Sequence, residues 1–279
     1  MCPELLIIVP ALNSHSTLDR LLSSLQKQTW PTWRLLFIDG PSSPTHRQWL
    51  QQTCSVESRC IWITQDPTQP GIFGAMNQGF ALASLATLSP DWLMFWGSDD
   101  WAASPTVLAE VMDTLVSSKQ SGSIPDLVVC RGRYADAVSG ALGRPTFFSS
   151  SVQVNVAAFR RALFFGSTPP HQATLFGIGA RQRLNSYAPG FRLSADLDYF
   201  LQLSRVPELL VQCLDLELVH MADAGISSQQ TQRRLHEVKI SYHNAFGWLW
   251  WIPYCTRYTR RVASLMISRL PAIHKRSAA

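Results

Sequence analysis

The feature that most constrains the fold is the alternation of short apolar runs with segments of helical periodicity over residues 5–115. The runs are apolar throughout, which is typical of strands buried on both faces of a parallel sheet. They occupy residues 5–9, 35–38, 61–63 and 92–96. Between them, apolar side chains recur at helical spacing, first at Leu18, Leu21, Leu22 and Leu25. The β-α-β-α-β-α-β order predicts an α/β fold with a mostly parallel central sheet and helices on both faces.

The rest of the chain is less regular. The pattern predicts helices at residues 72–88, 195–203 and 229–246, a helix after Ser104-Pro105, and strands at residues 127–130 and 209–219. Residues 140–170 are rich in Ser, Phe, Gly and Pro, which predicts a loop with short strands. We assign residues 1–246 to one domain and residues 247–279 to a Trp-rich, basic C-terminal segment.

Composition narrows the class of protein. Hydrophobic residues make up 46% of the 279 residues and charged residues 15%, which argues against disorder. The net charge is +5, but the lysines and arginines form no long run before residue 256, so we expect no nucleic-acid partner. The six cysteines lack metal-binding or redox spacing, which indicates a reducing compartment. With no basic signal-peptide region and no apolar stretch of about 18 residues, we expect a cytoplasmic protein.

Two adjacent carboxylates, Asp99 and Asp100, follow the fourth apolar run. Ligands of parallel sheets bind outside the carboxyl ends of strands, and Asp39-Gly40 follows the second run in the same way. Paired carboxylates beside substrate phosphates are a standard site for Mg²⁺ or Mn²⁺. The alternative for Asp100 is a cap for the following helix, and the alternative for Asp39 is an ordinary turn.

Three further segments are candidates for the site. Gly71 to Gly79 opens a helix with two glycines and an Asn, where a phosphate or sugar could approach, although simple helix packing explains the same residues. Asp196 and Asp198 are two residues apart at the start of a helix, so one side chain can face a cleft while the other caps the helix or forms an ion pair. Alternatively, both carboxylates only interact favourably with the positive end of the helix dipole. His220 is at the end of an apolar strand. It could be a metal ligand, a phosphate contact or a structural residue.

Taken in order, seven segments carry a resemblance to a known family. They are Ile8-Val9-Pro10 with Asn13, Ile38 to Ser42, Gly71 to Gly79, Trp96 to Asp100, His171-Gln172-Ala173, Ser194 to Phe200, and Gly225 to Ser228. Over about residues 3–245 the chain resembles the family 2 glycosyltransferases, inverting enzymes of GT-A fold. It is most similar in pattern to bacterial members that build exopolysaccharide and lipopolysaccharide repeats.

The resemblance implies a role for each matching residue. The nucleotide pocket would be lined by Pro10, Asn13, Asp39, Gly40 and Asp99. The donor sugar would be contacted by Gly71, Met76, Asn77 and Ser98. Mn²⁺ or Mg²⁺ would be held by Asp100, Asp99 and His220, and the general base would be Asp196. The resemblance implies that His171, Gln172 and Asp198 either contact the acceptor or have a structural role.

The chain also departs from that family. Related sequences commonly carry an acid where this chain has Gly74, which puts one contact to a sugar hydroxyl in doubt. Gly97-Ser98 replaces the more usual Asn-Ala or Asn-Ser before the acidic pair. The Gln-x-x-Arg-Trp signature of processive synthases is missing, so we expect transfer of one sugar per event.

The chemistry implied is metal-assisted single displacement. A nucleoside-diphosphate sugar would donate to a hydroxyl of a glycan or lipid-linked saccharide, with a carboxylate as base. A nucleotidyltransferase is an alternative, but the loop after the first strand lacks Gly, Lys and Arg. A non-catalytic carbohydrate- or lipid-binding protein with the same fold is the other alternative.

The C-terminal segment joins Trp248, Trp250, Trp251 and Tyr254 to a basic, apolar tail. A basic amphipathic helix lying on an anionic membrane has this composition. We therefore expect peripheral attachment at the inner face of the plasma membrane, with docking of the segment on its own domain as the alternative.

Overall fold

In this computed structural model, residues 3–85, 88–120, 122, 124–223 and 230–259 are described. They form ten strands, nine α-helices and two short 3-10 helices. The strands are β1 (Leu5–Ala11), β2 (Trp33–Asp39), β3 (Cys60–Thr64), β4 (Trp92–Phe95), β5 (Trp101–Ala102), β6 (Leu127–Ala135), β7 (Leu142–Pro145), β8 (Gln153–Val154), β9 (Thr174–Gly177) and β10 (Val211–Ala222). The helices are α1 (His15–Gln26), α2 (Pro44–Val56), α3 (Ile72–Ala83), α4 (Val107–Gln120), α5 (Val156–Phe164), α6 (Ile178–Arg183), α7 (Ala195–Leu203), α8 (Thr231–Phe246) and α9 (251–259). The 3-10 helices are His171–Ala173 and Gly247–Trp250.

All the described strands belong to one mixed sheet in the order β3-β2-β1-β4-β9-β6-β10-β5. Strands β3, β2, β1 and β4 run parallel, and β6 runs parallel to β10. Strand β9 is antiparallel to both β4 and β6, and it joins the two parallel parts. The predicted α/β fold with a mostly parallel central sheet is therefore confirmed.

The core lies on both faces of this sheet because successive residues of β1 point to opposite sides. Leu6 and Ile8 belong to the cluster that packs against α3, α5, α7 and α8. Leu5 and Ile7 belong to the cluster that packs against α1 and α4. Helix α3 comes so close to β1 that a Cβ at Gly79 would lie 2.6 Å from the Cδ1 of Ile8.

Several helices differ from the sequence-based expectation. Helix α2 lies where no helix was expected, since it buries only His46 and Leu50 and therefore shows little apolar periodicity. Residues 140–170, which we predicted to be a loop with short strands, contain the strands β7 and β8 and also helix α5. The N-terminus of α5 is capped by Asn155, whose Oδ1 accepts the Ala158 N–H at 2.9 Å. Helix α3 ends at Ala83, before the predicted residue 88.

The described part of the C-terminal segment docks on the domain. Trp250 makes an edge contact with Tyr254 and lies under the ammonium group of Lys239, and its ring packs against the core cluster of α7 and α8. Trp248 and Trp251 face outward, with 78% and 51% of their surfaces exposed. Among the described helices, none has the combination of length and apolar character needed to cross a membrane. The basic residues after 259 lie outside the described residues.

Candidate active site

Hydrogen bonds join the loops at the carboxyl ends of β1, β2 and β4. Asn13, in the left-handed region at φ 53°, accepts the Ser43 N–H through Oδ1 at 2.8 Å and donates its own N–H to Ser42 Oγ at 3.0 Å. Thr17 Oγ1 donates to the carbonyl oxygen of Ser98 at 2.9 Å. The predicted nucleotide-site loops are therefore adjacent, as the sheet order requires.

The acidic pair lies at this edge. Asp100 is buried, with 3% of its surface exposed, and accepts the N–H groups of Gly97 and Ala222. Burial, followed by the charge of Asp99, raises the pKa of Asp100 to about 8. Burial also raises the pKa of Asp99. Two adjacent carboxylates whose donors, within the described residues, are backbone N–H groups fit a divalent cation whose remaining ligands come from substrate phosphates.

Gly97 lies directly against the two carboxylates of the acidic loop. A Cβ there would lie 2.8 Å from Oδ1 of Asp99 and 3.1 Å from Oδ2 of Asp100. A side chain at this position would therefore require the carboxylates to shift.

Asp39 is held inside the protein. Its carboxylate is fully buried and lies 3.3 Å from Nε2 of His46 and 3.2 Å from Nε of Arg47. Burial lowers the pKa of His46, and the charge of Asp39 opposes that change. Gly40 donates its N–H to the carbonyl oxygen of Ala11 at 2.8 Å, next to Pro10. A contact between Asp39 and a nucleotide base stays a prediction.

The start of α3 mainly serves packing. Gly71 is the N-cap, with φ at 89°. Met76 lies in the core, with 5% of its surface exposed, which favours packing over the predicted sugar contact. The amide of Asn77 is bonded to the backbone of Tyr187, accepting its N–H at 2.7 Å and donating to its carbonyl at 3.0 Å. At Gly74 a Cβ would overlap the backbone carbonyl of Gln69, so no side chain fits there.

Asp196 and Asp198 have different environments although both begin α7. Asp198 is buried and accepts the amide of Gln202 at 2.6 Å, and burial raises the pKa of its carboxyl. Asp196 is partly exposed and forms no hydrogen bond or ion pair within the described residues. The carboxylate of Asp196 is therefore the one available to a ligand.

The turn at His171–Ala173 lies next to both acidic segments. His171 stacks on Phe95, with ring centroids 5.4 Å apart, and the carbonyl of Gln172 accepts the indole N–H of Trp96 at 3.0 Å. Burial lowers the pKa of His171 to about 4, and the negative charge of Asp196 opposes that change. His171 is thus near Asp196 and also packed under the strand that leads to Asp99.

His220 lies across from Trp101 in the pairing of β10 with β5, and the two rings make an edge contact with centroids 5.6 Å apart. Its Nε2 lies 2.9 Å from Oε1 of Glu217, which also binds Arg133. The described residues bring no third His, Cys, Asp or Glu into a metal-binding group with Asp99 and Asp100. The Gly225 to Ser228 segment lies outside the described residues.

A cleft of about 1190 Å³ opens beside Asp196. Its walls come from residues 134–154, from α5 and the turn after it, and from α7, α8 and α9. Asp223 also lines it, one residue beyond the Ala222 whose N–H binds Asp100. The cleft thus extends from the neighbourhood of the acidic pair to Asp196, with room for a substrate.

Comparison with known proteins decides the family of this site. Residues 6–139, which contain every predicted nucleotide and donor residue, match the model described as glycosyl transferase family 2. The chain carries a family 2 glycosyltransferase domain. The predicted family and enzyme class are confirmed, and this match disfavours a nucleotidyltransferase.

Relatives and solved structures agree with that identification. The glycosyltransferase is 25% identical over 287 residues to a PGL/p-HBAD biosynthesis glycosyltransferase of Mycobacterium tuberculosis, covering 99% of this chain and 94% of the relative. TarS of S. aureus, solved with UDP-GlcNAc, has a TM-score of 0.64 at 14% identity, over 96% of this chain and 76% of TarS. Glucosyl-3-phosphoglycerate synthase of M. tuberculosis, solved with Mn²⁺, UDP and phosphoglyceric acid, has a TM-score of 0.57 at 16% identity, over 88% and 79%. These two structures confirm the GT-A type of fold.

Several residues of the glycosyltransferase site had no sequence signal. Tyr187 bonds to His171 from 16 positions away, with its hydroxyl oxygen 2.5 Å from Nε2. Glu237, on α8, accepts three backbone N–H groups just before Asp196. The arginines of the cleft come from separate elements. Only the fold brings these residues together, so motif spacing could not have identified them.

Proposed function

We propose that this glycosyltransferase moves one sugar from a nucleoside-diphosphate sugar to a hydroxyl of a glycan or lipid-linked saccharide, with inversion by single displacement. The observation that carries the proposal is the contrast at the start of α7. Within the described residues, Asp196 lines the cleft without a hydrogen-bond or ion-pair partner, whereas Asp198 is buried and bonded to Gln202. A carboxylate free to accept a proton, at the edge of a cleft that can admit an alcohol, is suited to general base catalysis.

Asp196 acts as the base in this proposal. It removes the proton of the acceptor hydroxyl while that oxygen attacks the anomeric carbon, and the bond to the nucleoside diphosphate breaks on the opposite face. The neighbouring imidazole of His171 is neutral near pH 7, since its pKa is about 4. It therefore adds no positive charge that would hold Asp196 in an ion pair.

The donor diphosphate belongs at the acidic pair. Asp100 and Asp99 would hold Mn²⁺ or Mg²⁺, which supplies charge neutralisation for the departing diphosphate. The buried Asp100, with its raised pKa, supports this assignment because a cation would remove the cost of burying its charge. The Mn²⁺ and UDP reported with glucosyl-3-phosphoglycerate synthase support the choice of ligands. The loops of Asn13 and Gly40 would line the nucleotide pocket.

We place the enzyme at the inner face of the plasma membrane. Trp248 and Trp251 expose their indoles beside a C-terminal sequence rich in arginine, and such a surface suits an anionic membrane. A lipid-linked acceptor would be found at that location.

The test compares Asp196→Asn with Asp198→Asn in the full chain. Nucleotide sugars are screened with Mn²⁺ for release of nucleoside diphosphate, and the binding of UDP with Mn²⁺ is followed by thermal stabilisation. We expect Asp196→Asn to lower turnover by on the order of 10² or more while UDP binding persists. Asp198→Asn should keep most activity, since Asn can still accept the Gln202 amide.

Turnover near the wild-type level in Asp196→Asn would remove this residue from the role of base. Release of pyrophosphate from a nucleoside triphosphate would favour a nucleotidyltransferase instead. Failure of every nucleotide sugar to be turned over or to stabilise the fold would favour a non-catalytic binding protein.

A further inference from the structure

The cleft that holds Asp196 carries three arginine side chains without acidic partners. Arg144 is on β7, Arg161 is on α5, and Arg257 is on α9. None of the three forms an ion pair within the described part of the chain. Some arginines elsewhere are neutralised, such as Arg183, which binds Asp126 at 2.6 Å, whereas others, such as Arg160, bind only neutral groups. What distinguishes this cleft is that three such arginines line it together.

The contacts of these arginines leave their charge available. Arg257 donates to the hydroxyl of Thr168 at 2.5 Å, a neutral partner. Arg144 stacks on the ring of Tyr134, with its guanidinium carbon 4.9 Å from the ring centroid. Arg161 is exposed at the end of α5. Each guanidinium can thus donate further hydrogen bonds to an anion.

The acids that line the cleft do not pair with these arginines within the described residues. Asp136 binds its own turn, because its Oδ1 accepts the N–H groups of Val138 and Ser139 at 3.1 and 2.6 Å. Asp196 lies at the start of α7, and Asp223 lies just after β10. The guanidinium groups of the cleft are therefore not engaged by its carboxylates.

We propose that this cleft binds an acceptor through a phosphate group held by Arg144, Arg161 and Arg257. This rests on the proposed function, because Asp196 in the same cleft would receive the proton of the same acceptor's hydroxyl. Guanidinium groups match phosphate oxygens in two-point hydrogen bonding and keep their charge at any physiological pH. The acceptor is thus a phosphorylated molecule, with its phosphate either free in solution or part of a lipid headgroup.

The test measures phosphate binding with the donor pocket filled. The full chain is saturated with UDP and Mn²⁺, then titrated with glycerol 3-phosphate, with glycerol as the neutral control. A second arm uses vesicles of phosphatidylcholine with or without phosphatidic acid. The variants are Arg144→Gln/Arg161→Gln and Arg161→Gln/Arg257→Gln, and the control is Lys119→Gln, which removes an exposed positive charge on α4.

We expect glycerol 3-phosphate or the phosphatidic acid vesicles to bind, and both double variants to weaken that binding by on the order of 10-fold or more. Lys119→Gln should bind like the wild type. Binding of the soluble probe alone identifies a soluble acceptor, and binding of the vesicles alone identifies a lipid phosphate. Absence of binding in both arms, or wild-type affinity in Arg144→Gln/Arg161→Gln, overturns the proposal. Failure of UDP and Mn²⁺ to bind would instead count against the proposed function.

A different observation concerns the position of Asp196. The buried carboxylate of Glu237 accepts the N–H groups of Arg192, Leu193 and Ser194 at 3.0, 2.8 and 2.9 Å. These residues directly precede α7, and Ser194 is its N-cap, without a side-chain cap of its own. The segment that delivers Asp196 is therefore fixed from α8.

We infer that Glu237 is a positioning residue for Asp196. Three charge-assisted hydrogen bonds hold the backbone two to four residues before the base, and small displacements of a reacting group reduce turnover steeply. Arg233 binds the same carboxylate at 3.2 Å but touches none of those N–H groups. The inference rests on the proposed role of Asp196.

The test is a double-mutant cycle of Glu237→Gln with Asp196→Asn, with Arg233→Gln as control and Glu237→Asp as a milder variant. Glu237→Gln should lower kcat by roughly 10-fold, with donor KM unchanged, and should have no further effect in the Asp196→Asn background. Arg233→Gln should keep kcat. An equal loss of kcat in both backgrounds, or wild-type kcat in Glu237→Gln, overturns the inference. Full activity of Asp196→Asn alone would overturn the proposed function instead.

Discussion

The hydroxyl of Tyr187 lies 2.5 Å from Nε2 of His171, and both side chains are buried. The backbone of Tyr187 is in turn bonded to the amide of Asn77. One residue therefore connects α3, which carries the predicted donor contacts, to the histidine beside Asp196. This connection makes the region around Asp196 dependent on a buried hydrogen bond that is far from it in sequence.

Tyr187→Phe tests that connection. It leaves a buried nitrogen of His171 without its partner, and such a loss costs about 1–3 kcal/mol. The melting temperature should fall accordingly, while Tyr134→Phe, at a tyrosine with no hydroxyl bond among the described contacts, should not change it. Chemical unfolding of the two variants measures the difference, and equal stability of both would contradict the assignment.

His171 should also make stability depend on pH. Its pKa in the folded chain is about 4, below the ordinary value of 6.5, so the unfolded chain binds more protons between these two values. The contribution is complete above pH 6.5 and declines as the pH falls toward 4, by about 3 kcal/mol in all. His171→Phe should flatten this part of the unfolding curve, whereas replacing the exposed His243 by Gln should leave it unchanged.

Asp100→Asn should have opposite effects with and without metal. At pH 8.5 without metal the variant should melt higher than the wild type, because it removes a buried charge and keeps an acceptor for the Gly97 N–H. With UDP and Mn²⁺ it should gain little stability, whereas the wild type and the exposed Asp113→Asn should gain several degrees. A wild-type response of Asp100→Asn to Mn²⁺ would exclude this carboxylate as a ligand.

The two exposed tryptophans should act differently from the docked one. Trp248→Ser/Trp251→Ser should lower partitioning onto anionic vesicles without changing the melting temperature. Trp250→Ala should lower the melting temperature, since its ring packs on the core and under Lys239. Vesicle sedimentation and thermal unfolding read the two effects separately; equal partitioning of the double variant would contradict attachment through these rings.

The sequence was sufficient to predict a strand or helix where its own pattern of apolar residues determined that element. The apolar runs predicted β1, β2, β3 and β4, and Ala195–Leu203 was predicted with the bounds that the structure has. Helix α5 was missed because its buried side chains, Phe159 and Leu163, stand in a segment rich in turn-forming residues. The local composition of this segment favours turns, whereas the burial of these two side chains stabilises a helix, and the helix is what forms.

The site was predictable as a set of residues but not as a set of contacts. The order of the strands implied that Asp39 and Asp100 lie at one edge of the sheet. That Asp39 is enclosed by His46 and Arg47 could not be inferred, since His46 belongs to α2, which itself had no clear signal. The difference between Asp196 and Asp198 was foreseen as a pair of options, and only the packing of α7 shows that Asp198 is the buried one.

The carbonyl of Gln69, which fills the space beside Gly74, restricts which residue the chain can carry at this position. The polypeptide backbone, unlike a side chain, cannot be trimmed by substitution. An acid could therefore return to position 74 only after the turn at residues 66–69 had been rebuilt by an insertion or deletion. The residue at position 74 is consequently set by the length of the neighbouring loop, and single-site libraries at this position should yield chains that fold poorly.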